Sequence, residues 1–220
     1  MADMFAFAEA RGGELRKVAF EAVAAARRAA DATGGGQVHA LVMGAPGLSS
    51  RAEALGRYGA DAVTVVEHAG LERYSPEAFA ATAAERIKAG SYRAAFFSAS
   101  AEGRDLAPRV AARLGVGLAS DVTGFEVRGD AVLVEHPAYT GKVNVTLRLT
   151  GTPALVSLRP GALPATEQPR QARVESAAPA VDPGSARVVV TELSQQASTA
   201  LDLGEAPVIV SGGRDPGRHR

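Results

Sequence analysis

The stretch Ala62-Val-Thr-Val-Val66, then Ser75-Pro-Glu77 with a helical run to about Lys88, then Ala94-Ala-Phe-Phe-Ser98, decides the fold class. Both five-residue runs are mostly apolar instead of strictly alternating, which is the pattern of strands covered on both faces. The segment between them offers Ser75 as N-cap and Pro76 at the first helical position, where a missing N–H has no intrahelical partner to lose. Gly90 ends it. Strand, helix and strand in this order form the βαβ unit of a parallel sheet.

Working outward, the same alternation continues on both sides. Met4 to Ala8 reads as a buried strand, and Leu15, Val18, Ala19, Ala22, Val23 and Ala26 recur at helical spacing with Arg16, Lys17, Arg27 and Arg28 off that stripe. Gly34-Gly-Gly36 stops the helix. Val38 to Met43 is the next strand, and Gly44-Ala-Pro-Gly47 turns into a helix running to about Tyr58. Downstream, Asp105 is the expected cap of a helix through Leu114, with Leu106, Val110 and Leu114 as its apolar stripe and Pro108 in its first turn. The fold class is α/β: a Rossmann-like three-layer parallel sheet with helices on both faces.

The pattern then changes. Val122 to Val127, Ala131 to Glu135, Lys142 to Leu149 and Ala154 to Leu158 follow one another without helices, and Arg128-Gly-Asp130 reads as a tight hairpin turn. An antiparallel strand extension of the parallel sheet is expected. From Pro160 to about Ser185 the chain is aperiodic and rich in Pro, Ala, Gln and Glu, which predicts an extended connection. Arg187 to Glu192 and Ala206 to Ser211 resume strand character. The division expected is 1–186 as an α/β domain, with 160–186 as its extended connection, and 187–220 as a separate segment.

Composition narrows the function. An apolar share of 46% and a charged share of 22% suit a globular protein with one sizeable core. With 24 basic and 24 acidic residues there is no cationic excess to neutralise phosphates, so nucleic-acid binding is not expected. The absence of cysteine excludes disulfides, Fe–S clusters and thiolate metal sites. The first residues lack a basic region ahead of an apolar run, which Glu9 interrupts, and no stretch approaches membrane-span length. A soluble, cytoplasmic protein without membrane insertion is the expectation.

Several chemical signatures fail. Glu9-Ala-Arg-Gly-Gly-Glu14 after the first strand is not the Gly-x-Gly-x-x-Gly that lets a backbone approach a pyrophosphate. Gly141-Lys142 is preceded by His136 where a P-loop needs Gly, and Val143 stands where Ser or Thr would hold magnesium. His39, His68, His136 and His219 lack ligand spacing, so no metal site is expected. No Gly-x-Ser-x-Gly elbow exists. No catalytic residue is assigned, and no self-contained active site is expected in this chain.

Four segments carry a family resemblance. Gly103-Arg-Asp-Leu-Ala-Pro-Arg-Val-Ala-Ala-Arg-Leu114 leads to Ala119-Ser-Asp-Val-Thr-Gly-Phe-Glu126; Pro137-Ala-Tyr-Thr-Gly141, Val156-Ser-Leu-Arg-Pro160 and Pro207-Val-Ile-Val-Ser-Gly-Gly-Arg214 follow. In order and spacing these resemble electron transfer flavoprotein α subunits, and the resemblance reaches to Arg214. It implies a heterodimer with a β subunit, carrying FAD, that takes electrons from acyl-CoA and related dehydrogenases and delivers them to a quinone-linked oxidoreductase. The first α domain would dock the β subunit while a second domain holds most of the flavin. His136 and Lys142 stand where the family usually has Arg and often Asn. The family continues after Ser-Gly-Gly-Arg into the flavin domain, whereas here Asp215-Pro-Gly-Arg-His-Arg220 follows, so 187–220 is read as a linker strand and the truncated start of that domain. Arg214 is the residue implied to contact FAD; no FAD is expected on this chain alone. The alternative is a free-standing nucleotide-binding module for AMP or ATP.

Overall fold

The computed structural model describes residues 2–129, 131–192, 206 and 208–213. Two units are distinguished, Met1–Val190 and Thr191–Arg220. The described residues of the second, 191–192, 206 and 208–213, have no regular secondary structure. The predicted strand Ala206–Ser211 is therefore not seen at those positions, and its Pro207 lies outside the described residues.

The first unit opens with β1 (Asp3–Ala8), a small hairpin of β2 (Ala10–Arg11) and β3 (Glu14–Leu15), and helix α1 (Lys17–Ala32). β4 (Val38–Gly44) leads to the short α2 (Ser49–Ala52) and a 3-10 turn over Glu53–Tyr58; β5 (Ala62–Glu67), α3 (Pro76–Ala89), β6 (Tyr92–Ser98) and α4 (Ala101–Leu114) follow. Next come β7 (Leu118–Val122), β8 (Gly124–Arg128), β9 (Ala131–Ala138), β10 (Val143–Leu149), β11 (Ala154–Leu158) and β12 (Arg173–Ala177). Seven strands form one sheet in the order β12-β5-β4-β1-β6-β11-β7, parallel throughout. The expected Rossmann-like α/β architecture is what the chain forms.

Strand alternation divides the core. Met4, Ala6 and Ala8 join the cluster that includes Ala19, Val23 and Ala26 of α1. Phe5 and Phe7 join Phe79 of α3 and Leu106 and Val110 of α4 on the opposite face. Each β1 residue in these sets is at most 2% exposed, which is why the strand reads as continuously apolar.

β8, β9 and β10 form a separate antiparallel sheet in the order β10-β9-β8. Its inner face carries Phe125, Val132 and Val134 into the α1-side core. Arg28 fastens it, with its guanidinium carbon 4.3 Å from the Phe125 ring centre and Nη2 donating to the Phe125 carbonyl at 2.9 Å.

Several expectations change. Ala154–Leu158 does not extend the antiparallel run: as β11 it inserts between β6 and β7, parallel to both, and all five residues are buried. The segment read as an extended connection contains β12, which pairs with β5 from Arg173↔Ala62 to Ala177↔Val66. Arg187–Glu192 forms no strand; β12 already covers β5, and Val188 and Val189 are more than half exposed. α4 starts four residues before Asp105, with Ser100 as N-cap accepting from the Gly103 amide at 3.0 Å. Asp105 lies inside the helix, where it accepts from Arg109 and the Tyr74 hydroxyl, and Pro108 is interior too. Ser75 holds the predicted cap position before Pro76, but its hydroxyl makes no cap hydrogen bond.

Candidate functional site

In a parallel sheet the natural ligand crevice lies at the carboxyl ends of strands where the chain order reverses. Here β1 is followed outward by β4 and β5 on one side and by β6 on the other, so the reversal lies between β1 and β6. That position is filled by the chain itself. Glu9, the residue after β1, is 1% exposed, and the Ser100 hydroxyl after β6 donates to its carboxylate. Arg16 reaches the same carboxylate at 3.4 Å, and its backbone amide donates to the Glu9 carbonyl at 3.0 Å, so the β2–β3 hairpin closes at its base.

The electrostatics are those of a buried carboxyl beside a half-buried one. Burial raises the Glu9 carboxyl above its usual range, against the pull of the Ser100 hydrogen bond and Arg16. Glu102, in the first turn of α4, is pushed up to about 8 by burial first and the charge of Glu9 second. Its Oε1 is shut away from solvent with no hydrogen-bond partner among the described residues.

On the other flank of β6 the edge of the sheet is open. A cavity of about 360 Å³ lies among Ala99, Gly103, Arg104, Leu118, Asp121 and Ser157. Asp121 sits at φ 53°, in the left-handed region that Asp tolerates better than most residues. Its amide donates to Ser157 Oγ at 3.3 Å. Its carboxylate takes two bonds from Arg159, Nη2 at 2.6 Å and Nε at 3.1 Å, with Arg104 at 3.9 Å. The Arg159 hydrogen bond, more than any other influence, holds Asp121 below the ordinary carboxylate range. His136 Nδ1 meets the Ser120 carbonyl at 2.9 Å, tying the antiparallel sheet to the same corner.

This corner gathers residues from the segments that carried the resemblance. Gly103, Arg104, Ser120 and Asp121 come from the first, and Ser157 and Arg159 from the segment ending at Pro160. His136 immediately precedes Pro137. Gly103 has a specific steric reason to be Gly: a Cβ there would lie 1.8 Å from the Ser98 carbonyl oxygen and 3.3 Å from Glu9 Oε1. The Pro137–Gly141 segment ends β9 and enters the tip before β10, where Tyr139, Thr140 and Gly141 all have positive φ and Tyr139 is 79% exposed.

By sequence, Glu9 reads only as an interruption of an apolar run and Arg159 only as part of the family-like segment Val156–Pro160. The Asp121–Arg159 pair spans 38 residues, and only the insertion of β11 beside β7 brings it together. Arg214, the one residue assigned to the flavin, lies outside the described residues. Among the described residues there is no cluster of three or more potential metal-ligating His, Cys, Asp or Glu side chains, and no helix is long and apolar enough to cross a membrane.

Residues 4–182 match the family described as electron transfer flavoprotein domain. The chain is 32% identical over 219 residues to the electron transfer flavoprotein subunit alpha of Thermoanaerobacterium thermosaccharolyticum, covering 98% of this chain and 66% of that protein. It is 34% identical over 208 residues to the corresponding subunit of Bacillus subtilis, covering 94% and 62%. A shorter match, 34% over 125 residues, joins it to the acryloyl-CoA reductase electron transfer subunit beta of Anaerotignum propionicum, covering 57% of this chain and 34% of that one. The chain thus spans just under two thirds of the length of those two alpha subunits.

Proposed function

The chain belongs to the electron transfer flavoprotein family, and from that premise we propose that it is the N-terminal scaffold of an α subunit. Its task is to dock a β subunit. The complete cytoplasmic heterodimer carries FAD and passes electrons from acyl-CoA and related dehydrogenases to a quinone-linked oxidoreductase. Bound flavin supplies the redox chemistry, while protein supplies orientation and electrostatics. Arg214 is the residue of this chain assigned to meet the flavin, where a guanidinium suits a phosphate or a ring carbonyl.

The observation that carries the reading is the gathering of the family-like segments at the Asp121–Arg159 corner. A scaffold needs such a node: it fixes β7 to β11 and, through His136, sets the antiparallel sheet against them. Between β1 and β6, where a dinucleotide would lie, the buried Glu9 carboxylate and the Ser100 hydroxyl bond to each other across the switch point. That supports leaving the flavin to the rest of the complex, and it speaks against a free-standing AMP or ATP module.

Co-expression with the β subunit encoded in the same genome tests the reading. The expected result is co-elution of the two chains on size exclusion, without thermal stabilisation of this chain by AMP or ATP. Failure to co-elute overturns the docking role, and a rise in Tm with either nucleotide revives the nucleotide-binding module.

A further inference from the structure

The segment that ends the first unit is fastened along α3 and the residues just before it. The Ala180 amide donates to Thr82 Oγ1 at 2.9 Å. Arg187 gives Glu77 its amide at 3.0 Å and its Nε at 3.2 Å. Arg73 Nη1 reaches the Val190 carbonyl at 3.4 Å. Ser75 lies between Arg73 and Glu77 in this row and is 7% exposed. Yet its Oγ, shut away from solvent, has no hydrogen-bond partner among the described residues.

That orphan is unusual in kind. Ser75 holds the N-cap position of α3, where a hydroxyl ordinarily accepts from an amide two or three residues on, and here it does not. A buried hydroxyl left unpaired keeps the full cost of losing its water, so such groups nearly always find a protein partner or an ordered water. The neighbouring Tyr74 hydroxyl is already given to Asp105 at 2.8 Å. Beside Ser75 there is room instead. A cavity of about 30 Å³ lies among Arg73, Tyr74, Ser75, Pro183, Val188 and Val190. One molecule of liquid water takes roughly that volume. The gap cannot easily close, because Pro183 is buried and packed on the Gly70 turn, where an added Cβ would lie 2.9 Å from the Pro183 Cβ.

We propose that this cavity is a site for one buried water molecule, bridging the Ser75 hydroxyl to the main chain at Val190. The water accepts the Ser75 proton and donates to the Val190 carbonyl, which has a second lone pair beside the one that meets Arg73. Water is chosen over a small anion because Glu77 holds a carboxylate at the same helix start and the Val190 carbonyl offers only an acceptor. With it the row from Arg73 to Thr82 is continuous, direct at its ends and solvent-bridged at Ser75. This goes beyond the docking role and stands without it.

Crystals of the full chain grown in bromide salts, with data to high resolution, read the site. One ordered peak is expected within hydrogen-bond distance of Ser75 Oγ and the Val190 carbonyl, without anomalous signal at the bromine edge, and it should be lost in Ser75→Ala. An anomalous peak, an empty cavity, or Ser75 Oγ turned onto the Ala78 amide as an ordinary cap would each overturn the proposal. Hydrogen exchange gives the reading in solution. Ser75→Ala should speed exchange several-fold at the Ala180 and Arg187 amides, which are bonded to α3 side chains. Circular dichroism checks that the variant is folded. Unchanged exchange at both amides means that no water bridge holds the segment, and the proposal fails.

Discussion

The two flanks of β6 end in opposite ways. Towards β1 the crevice is closed by a carboxyl pair, with Glu9 at 1% exposure and the half-buried Glu102 pushed up to about 8. Towards β11 and β7 the edge stays open, and its carboxylate, Asp121, is partly exposed and held down by Arg159. The same strand end, capped by the same turn of α4, thus stores a proton on one side and a fixed negative charge on the other. Burial dominates the first site and pairing the second. The closed flank acts as a seal where a nucleotide-binding relative of this architecture would open, and the open flank acts as a fastening for the segments that the family-like motifs supply.

The largest expected effect is a difference in pH dependence. Glu102 has a folded-state value above its ordinary 4.5, so its contribution to stability is fully present below 4.5 and is lost as pH rises through about 8. Glu9, also raised, works in the same direction. Asp121 is lowered from 3.8, so its contribution is present above that value and is lost as pH falls below it. Urea midpoints measured against pH should therefore decline from about 5 to 8, and Glu102→Gln should flatten that decline. Asp121→Asn should leave the alkaline limb alone and remove part of the acid one. If both variants alter the same limb, the contrast between the flanks is wrong.

Gly103 underlies both sites, which makes it the sharpest steric probe. Its added Cβ would meet the Ser98 carbonyl at 1.8 Å, a backbone atom that can yield only by displacing β6 from α4. Gly103→Ala is expected to cost about 3 kcal/mol, at the upper end of overpacking penalties, with a corresponding fall in Tm. Gly151 is the control: its nearest neighbours lie at 3.6 Å or beyond and its φ is not in the left-handed region, so Ala should be accommodated there. Equal effects at the two positions would mean that the α4 N-terminus does not sit tightly against the end of β6.

These flanks also show how far the sequence could be read. The parallel strands were legible because burial on both faces forces continuous apolar runs, as in Ala94–Ser98 and Ala62–Val66. Ala154–Leu158 was legible as a strand but not in its direction, because nothing in five apolar residues says whether the chain returns beside β10 or crosses back to β6. The α4 cap was misplaced at Asp105 because Ser100 and Asp105 are both good cap residues, and only the Gly103 amide on Ser100 decides between them. β12 escaped notice since an exposed edge strand such as Arg173–Ala177, with three of its five residues exposed, has little apolar signal. The candidate site was legible only as separate segments. Glu9 and Ser100 are 91 residues apart, and Asp121 and Arg159 are 38 apart, so pairing in each case is a property of the sheet order.

The smallest contrast expected is between removing each carboxylate outright. Glu9→Ala deletes a buried acceptor for the Ser100 hydroxyl and a partner of Arg16, and losing a satisfied buried hydrogen bond of this kind costs about 2 kcal/mol. Part of that is offset, because Glu102 no longer faces the charge of Glu9. Asp121→Gly removes a side chain whose ion pair is partly exposed, with Arg159 at 43% and Asp121 at 28%, and such pairs contribute about 1 kcal/mol or less. Gly is the right replacement because at φ 53° it carries no Cβ penalty, so the comparison isolates the carboxylate from the backbone. Its extra freedom in the unfolded chain adds a few tenths of a kcal/mol, roughly, in the destabilising direction. Chemical denaturation at pH 7 should rank Glu9→Ala below Asp121→Gly in midpoint. The reverse order would show that the Asp121–Arg159 fastening, and not the Glu9 seal, is the stronger hold on the carboxyl end of the sheet.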